Sequence, residues 1–229
     1  MSSDRITVFT RTTGYRHDSI PHGVDAFRAL GDDHGLTVTT TEDPDELAAA
    51  LADCRAVVFL STSGDVLTPD SRAALRSYVT AGGAFVGVHA AACTEYDWPW
   101  YGELLGARFD GHPPIQPGVA IVEDRGHPAT GHLDATWPLT DEWYDFRTSP
   151  RPRVRVLLSA DETTYEGGRM GEDHPLAWCH ENTGGRSFYT ALGHACESYS
   201  DPVFRRHLLG GLAWAARLTP RPWNRPGTP

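Results

Sequence analysis

The feature that most restricts this 229-residue chain is the regular alternation of short apolar runs with amphipathic segments up to residue 88. RITVFT (5–10), LTVTTTED (36–43), AVVFLS (56–61) and AFVGV (84–88) are rich in β-branched and aromatic residues and read as strands. IPHGVDAFRALGDDHG (20–35), DPDELAAALAD (43–53) and TPDSRAALRSYVTAGG (68–83) read as helices. Val24, Phe27, Leu30 and His34 recur at helical spacing in the first; Asp43–Pro44 and Thr68–Pro69 place a cap residue before proline in the others. AVVFLS is apolar throughout, as a strand buried on both faces requires. The order β-α-β-α-β-α-β predicts a mostly parallel sheet with helices on both faces. Ligands of such sheets bind beyond the carboxyl ends of the strands, near the switch in strand order. The segments there are TRTTGYRHDS, STSGD and the residue that ends the fourth strand, His89.

The second half is less regular. YGELLG (101–106) predicts a short helix, and GVAIVED (118–124), VRVLLSA (154–160), PLAWCHE (175–181) and RSFYTALG (186–193) predict strands. A last helix is expected from about 202 to 217, with Phe204, Leu208, Leu212 and Ala215 on one face. No linker divides the chain, so residues 1–217 form a single domain and 218–229 a proline-rich tail.

The apolar share is 40% and the charged share 22%, enough for a full core without disulfides. A net charge of −10 argues against nucleic acid as partner, since phosphate neutralisation needs a basic surface. No apolar run reaches membrane-spanning length, so no membrane partner is expected. The opening MSSDRITVFT lacks the basic-then-apolar pattern of a signal peptide. Cys54, Cys93, Cys179 and Cys196 form no CxxC pair. A cytoplasmic location with reduced thiols is expected. No Walker-type phosphate loop is present, so no nucleotide cofactor is expected. Nothing in the sequence sets the oligomeric state, and a homo-oligomer stays open.

Eleven histidines are an unusual number, and one holds an unusual place. In GGAFVGVHAAA (82–92) a buried-strand run ends on His89 with Gly87 two residues before and Ala91 two after. That is the pattern of a nucleophile elbow, whose sharp turn needs small flanking residues. The apex residue is imidazole, which serves as acid, base or metal ligand. A helix opening there would disfavour the imidazolium.

The segments TRTTGYRHDSI, LSTSGDVL, YVTAGGAFVGVHAA, TEYDWPWYGELLGARFDGHP, DEWYDF, MGEDHPLAWCHENTGGRSFYTALGH and LLGGLAWA resemble the ThuA-like family, named for a trehalose-utilisation protein. The resemblance runs from about residue 5 to 217. It implies a flavodoxin-like three-layer α/β sandwich similar to class I glutamine amidotransferases. Those enzymes carry Cys at the elbow and His-x-Glu in a late loop. His89 at the elbow argues against Cys-type glutamine hydrolysis here. The implied role is in sugar metabolism, around 3-keto-glycosides or a disaccharide such as a trehalose derivative.

The candidates follow from position. His17, His89 and His194 close three strand-end segments and are the expected catalytic residues. With His112 of FDGHPP they form the expected metal set, with zinc the first guess for such ligands. Ser61, Thr62, Ser63, Gly64 and Asp65 make a tight polar loop able to bind sugar hydroxyls. Glu95, Asp97, Trp98 and Tyr101 combine rings with carboxylates, as sugar sites do, and Glu197 lies near His194. His127 reads as a turn or cap residue, Asp173–His174 as an acid–base pair or a plain turn, and Cys93 as a small buried hydrophobe. Together these predict an enzyme acting on an oxidised sugar by histidine acid–base or metal-assisted chemistry: isomerisation, elimination or hydrolysis. The competing reading is a non-catalytic sugar-binding or scaffolding protein of the same fold.

Overall fold

The computed structural model describes residues 4–219. The first part folds as β1 (Arg5–Phe9), α1 (Ile20–His34), β2 (Thr37–Thr41), α2 (Pro44–Ala50), β3 (Ala56–Leu60), β4 (Ser63–Gly64), α3 (Pro69–Thr80) and β5 (Ala84–Val88). After the elbow come β6 (Cys93–Thr94), α4 (Pro99–Leu105), β7 (Phe109–Gly111) and β8 (Gln116–Val122). Then follow β9 (Thr136–Asp141), β10 (Asp145–Phe146), β11 (Arg155–Asp161), β12 (Pro175–His180), β13 (Ser187–Thr190) and α5 (Pro202–Ala215). Of the tail expected at 218–229, residues 220–229 lie outside the described residues.

Local chemistry sets the helix starts. Thr68 accepts the Ser71 N–H and the Ser71 hydroxyl accepts the Thr68 N–H, a reciprocal cap that contributes about 1 kcal/mol to α3. Asp43 and Asp201 accept the N–H groups of Asp45 and Val203 at the starts of α2 and α5. Gly35, at φ 73°, closes α1 in the left-handed conformation that a side chain would resist.

Nine strands form one sheet in the order β2-β1-β3-β5-β13-β12-β11-β8-β9. The sequence predicts a mostly parallel sheet. The structure divides it: β2 to β13 pair in parallel, and β13 to β9 pair antiparallel. The reason is connectivity. Helices carry the chain between the first strands, whereas the later ones follow one another without helical crossovers and therefore pair antiparallel. β9 escapes the sequence pattern because Pro138 interrupts TWPLTD; β9 is an edge strand, where proline's missing N–H is tolerated.

The step from β1 to β2 runs one way across the sheet and the steps to β3 and β5 run the other. Right-handed crossovers then put α1 on one face and α2 and α3 on the other. Accordingly α2 packs on α3, and α1 meets α5. The direction switch lies between β1 and β3, so the segments after β1, β3, β5 and β13 converge at one edge of the sheet.

Between β13 and α5 sits a fully buried histidine. His207 donates Nδ1–H to the Ala129 carbonyl and accepts the Thr190 hydroxyl on Nε2, at 2.9 and 3.1 Å. Burial lowers its pKa from 6.5 to about 3. Between pH 6.5 and about 3 the unfolded chain holds a proton that the folded protein excludes, so stability falls as the pH drops through that window. Urea unfolding at pH 7, 6 and 5 should show this loss. His207→Gln should flatten the slope by up to about 1.4 kcal/mol per pH unit. An unchanged slope would mean that His207 is not the excluded proton site.

Candidate functional site

His89 leaves β5 at φ 51°, in the left-handed region, at a cost of about 1–2 kcal/mol for a residue with a Cβ. Gly87 cannot be replaced freely: a Cβ there would lie 2.9 Å from Leu105 Cδ1 and 3.1 Å from Tyr189 Cδ2. The elbow differs from the sequence expectation in one respect. A single 3₁₀ turn, His89–Ala92, follows β5, and α4 begins only at Pro99, so no α-helix N-terminus faces the imidazole.

The His89 Nδ1–H donates to the Ala191 carbonyl at 2.6 Å, which turns Nε2 toward the other side chains of the cluster. His17 Nε2 approaches that atom to 3.1 Å and the Tyr144 hydroxyl to 2.9 Å. Glu142 Oε2 lies 3.5 Å from the same Nε2 and 3.0 Å from His194 Nδ1. That last contact is side by side and not aligned as a hydrogen bond. One potential ligand atom each from His17, His89, Glu142 and His194 falls within 4.8 Å of all the others.

Burial, aided by the neighbouring imidazoles, lowers the His17 pKa from 6.5 to about 3, so this ring is neutral. Burial alone would push the Glu142 carboxyl up, but His194 and His89 outweigh it and hold the carboxyl well below its usual range. The Glu142 carboxylate raises His194 in turn. Burial pushes the Tyr144 hydroxyl well up, so it keeps its proton. Burial likewise pushes the Cys93 thiol up to about 12, which rules out a ready thiolate.

Two members of the cluster, His17 and Glu142, line a cleft of about 580 Å³ together with Tyr15, Ser63, Tyr96, Phe109, His112 and Tyr144. His112 stands outside the four-ligand group. Its Nε2 lies 3.6 Å from the other Glu142 oxygen, and its Nδ1–H donates to the Pro113 carbonyl at 2.8 Å.

The remaining sequence candidates are dispersed. Ser63 and Gly64 touch the cleft, but the Ser63 hydroxyl is engaged by the Tyr15 carbonyl at 2.6 Å and Thr62 bonds Thr94 at 2.8 Å. Ser61 is buried, and Asp65 is exposed toward Arg72. Glu95 is fully buried, accepts the N–H groups of Val66 and Leu67 at 2.8 Å each, and pairs with Arg72. Trp98 packs on Trp100 and Tyr101, and the Tyr101 hydroxyl donates to the Ala91 carbonyl in the core. Asp97 and Glu197 are exposed, Glu197 beside β9 and not at the cluster. His127 accepts the Ala129 N–H, a turn role, while Asp173 pairs with Arg151 and His174 with Glu162.

Three residues here were not anticipated: Asp141, Glu142 and Tyr144. All lie in DEWYDF, a segment whose pairing of acids with rings is the one signal that marks it. Asp141 is buried. Its Oδ1 accepts the N–H groups of Glu142 and His194 and its Oδ2 that of Gly193, at 2.8, 3.1 and 2.8 Å.

A family model described as trehalose utilisation, ThuA, matches residues 5–215. The chain belongs to the ThuA family. A ThuA-like protein from Bacteroides uniformis ATCC 8492 shares 26% identity and superposes with a TM-score of 0.78 over 93% of this chain and 92% of that one. A ThuA-like protein from Parabacteroides merdae ATCC 43184 shares the fold at 22% identity, with a TM-score of 0.76 over 93% and 89%. The β-galactosidase from Bacillus circulans sp. alkalophilus holds a similar fold within 32% of its length, at 12% identity, over 95% of this chain with a TM-score of 0.59. No curated protein matches the chain. The family's description, trehalose utilisation, points to a role in sugar metabolism. Among the described residues no helix is long and apolar enough to cross a membrane.

Replacing Asp141 by Ala would strand three buried N–H groups, at roughly 1–3 kcal/mol each before relaxation. Urea unfolding should show a loss of about 3 kcal/mol or more, with Asp141→Asn intermediate because its amide keeps one acceptor oxygen. A loss under about 1 kcal/mol for the alanine variant would show that the loop does not depend on this carboxylate.

Proposed function

We propose that this ThuA protein is a metal-dependent enzyme that moves a proton next to the carbonyl of an oxidised glycoside, a 3-keto sugar. The observation that carries the reading is the convergence of His17, His89, Glu142 and His194, of which His17 and Glu142 line the cleft. In a tetrahedral zinc site with bonds of about 2.0–2.1 Å, neighbouring ligand atoms lie about 3.3 Å apart. Three of the six separations here are 3.0, 3.1 and 3.5 Å, and all six are within 4.8 Å. The donor chemistry fits as well: three imidazoles, one carboxylate, and a His89 ring whose Nε2 is turned inward by Ala191. Zinc is the first choice for such a set.

A bound divalent ion would supply Lewis-acid stabilisation of the sugar's carbonyl oxygen. The chain's own groups supply the rest. A 3-keto group acidifies the C–H beside it. His112, with Nδ1 tied to Pro113 and Nε2 turned to the cleft side of Glu142, is placed to take that proton. The protonated Tyr144 hydroxyl is placed to donate to the oxygen on which negative charge develops. If the hydroxyl proton on the deprotonated carbon passes to the former carbonyl oxygen and His112 returns its proton to the former carbonyl carbon, the result is an isomerisation. If the bond from the anomeric carbon to the glycosidic oxygen breaks instead, a double bond forms to the deprotonated carbon and the proton on His112 goes to the departing oxygen, an elimination. The first step is common to both. The chain has no lysine, so no side-chain amine is available to form an imine with the carbonyl.

Two measurements test the reading. Untagged protein should carry near-stoichiometric metal by mass spectrometry, reduced at least about tenfold in His89→Ala and Glu142→Gln and retained in His112→Ala. In deuterated water the wild type should exchange the proton beside the carbonyl of 3-keto-glycosides, while His112→Ala loses at least about a hundredfold in rate. Metal-free wild type that still exchanges the proton would remove the metal and leave the histidines as acid and base. Metal binding without exchange or turnover would sink the enzyme reading.

A further inference from the structure

A second concavity, a groove of about 980 Å³, runs along the C-terminal end of α4 and away from the histidine cluster. Arg108, Arg147 and Arg153 lie on its wall with Asn182 and Thr183, and the Asn182 amide donates to the Arg153 carbonyl at 2.6 Å. Glu103 is the one carboxylate there, and it forms no ion pair with any of the three among the described residues. Arg147 and Arg153 are exposed and have no carboxylate partner among the described residues. Arg108 donates only to carbonyls, those of Thr94, Glu95 and Trp98. The wall therefore carries a net charge of about +2 on a chain whose net charge is −10.

Two like charges are also held close. The Arg108 and Arg147 guanidinium carbons lie 5.6 and 4.7 Å from the centre of the same ring, Tyr96. Cation–π attraction to one ring offsets part of their repulsion and supplies no counter-charge. Thr183 Oγ1 is buried on the same wall without a hydrogen-bond partner. Gly102 keeps the approach to Arg108 open, since a Cβ there would lie 2.9 Å from Nε.

We propose that this groove binds a small phosphate monoester, its phosphate held by Arg147 and Arg153 over Arg108. A phosphate monoester carries about −1.5 to −2 at neutral pH, which matches the wall, and guanidinium forks suit its oxygens. The groove exceeds a phosphate in size and leaves room for the organic part. The inference is independent of the metal-centre reading, because the two concavities share no lining residue.

Calorimetry of the full chain with inorganic phosphate, glucose 6-phosphate and glucose, at constant ionic strength, tests it. Glucose 6-phosphate should bind at one site per chain, with affinity lowered at least about tenfold in Arg153→Ala and further in Arg147→Ala/Arg153→Ala. Arg28→Ala, a remote surface variant paired with Asp25, should leave it unchanged. Inorganic phosphate binding more weakly at the same site identifies an ester site; equal binding identifies a site for free phosphate and overturns the ester. No binding at millimolar concentration, or equal affinity in Arg153→Ala and wild type, overturns the site altogether.

Discussion

The Asp141 carboxylate is the contact on which the histidine cluster depends. Three strands separate β9 from β13 in the sheet, yet this one side chain at the end of β9 holds the N–H groups of both Gly193 and His194 beyond β13. It also fixes the N–H of Glu142, the next residue of its own chain segment. A buried carboxylate is costly unless hydrogen-bonded, and burial raises this one despite its three donors. What the interaction yields is placement: Glu142 and His194 are anchored to one charge, so their mutual distance is set by backbone geometry. His89 is tied to the same loop through the Ala191 carbonyl. Two anchors thus pin residues 191–194 against the elbow and against β9.

Conformational strain gathers at the same edge. Ser61, His89 and Glu95 all take positive φ, at 48°, 51° and 53°. Each has a local compensation. The Ser61 N–H reaches Val88, the His89 carbonyl accepts the Tyr189 hydroxyl, and the Glu95 carboxylate caps the N–H groups of Val66 and Leu67. The small residues around His89 follow from this geometry. Gly87 faces Leu105 and Tyr189, Ala91 and Ala92 are buried in the core, and Ala90 is buried beside the cleft. The imidazole is the one group in that turn large enough to reach the cluster.

The parallel half of the fold was legible because strand and helix periods alternate cleanly there, and with it the meeting of His17, His89 and His194 at strand ends. Glu142 and Tyr144 were not, because they follow β9, an edge strand interrupted by Pro138 and ending on a buried polar residue, Asp141. Their arrival at the cluster is tertiary and leaves no local spacing to detect. Residues 95–101 show the opposite effect. Their mixture of rings and carboxylates has the composition of a sugar subsite, but Trp98 and Tyr101 stack inward and Glu95 is consumed by the backbone it caps. Composition reports which groups are present; hydrogen-bond partners decide whether they are available.

Charge separates the two concavities more sharply than size does. The cleft above the histidines has no arginine among the described residues that line it, and Glu142 is its one ionised acid group. Imidazoles, hydroxyls and aromatic edges are groups that hold an uncharged glycoside, the substrate class of the proposed reading, by hydrogen bonds and ring contacts. With the divalent ion proposed for the cluster, the Glu142 carboxylate is balanced without a guanidinium, so under that reading the cleft needs no charged substrate to complete it.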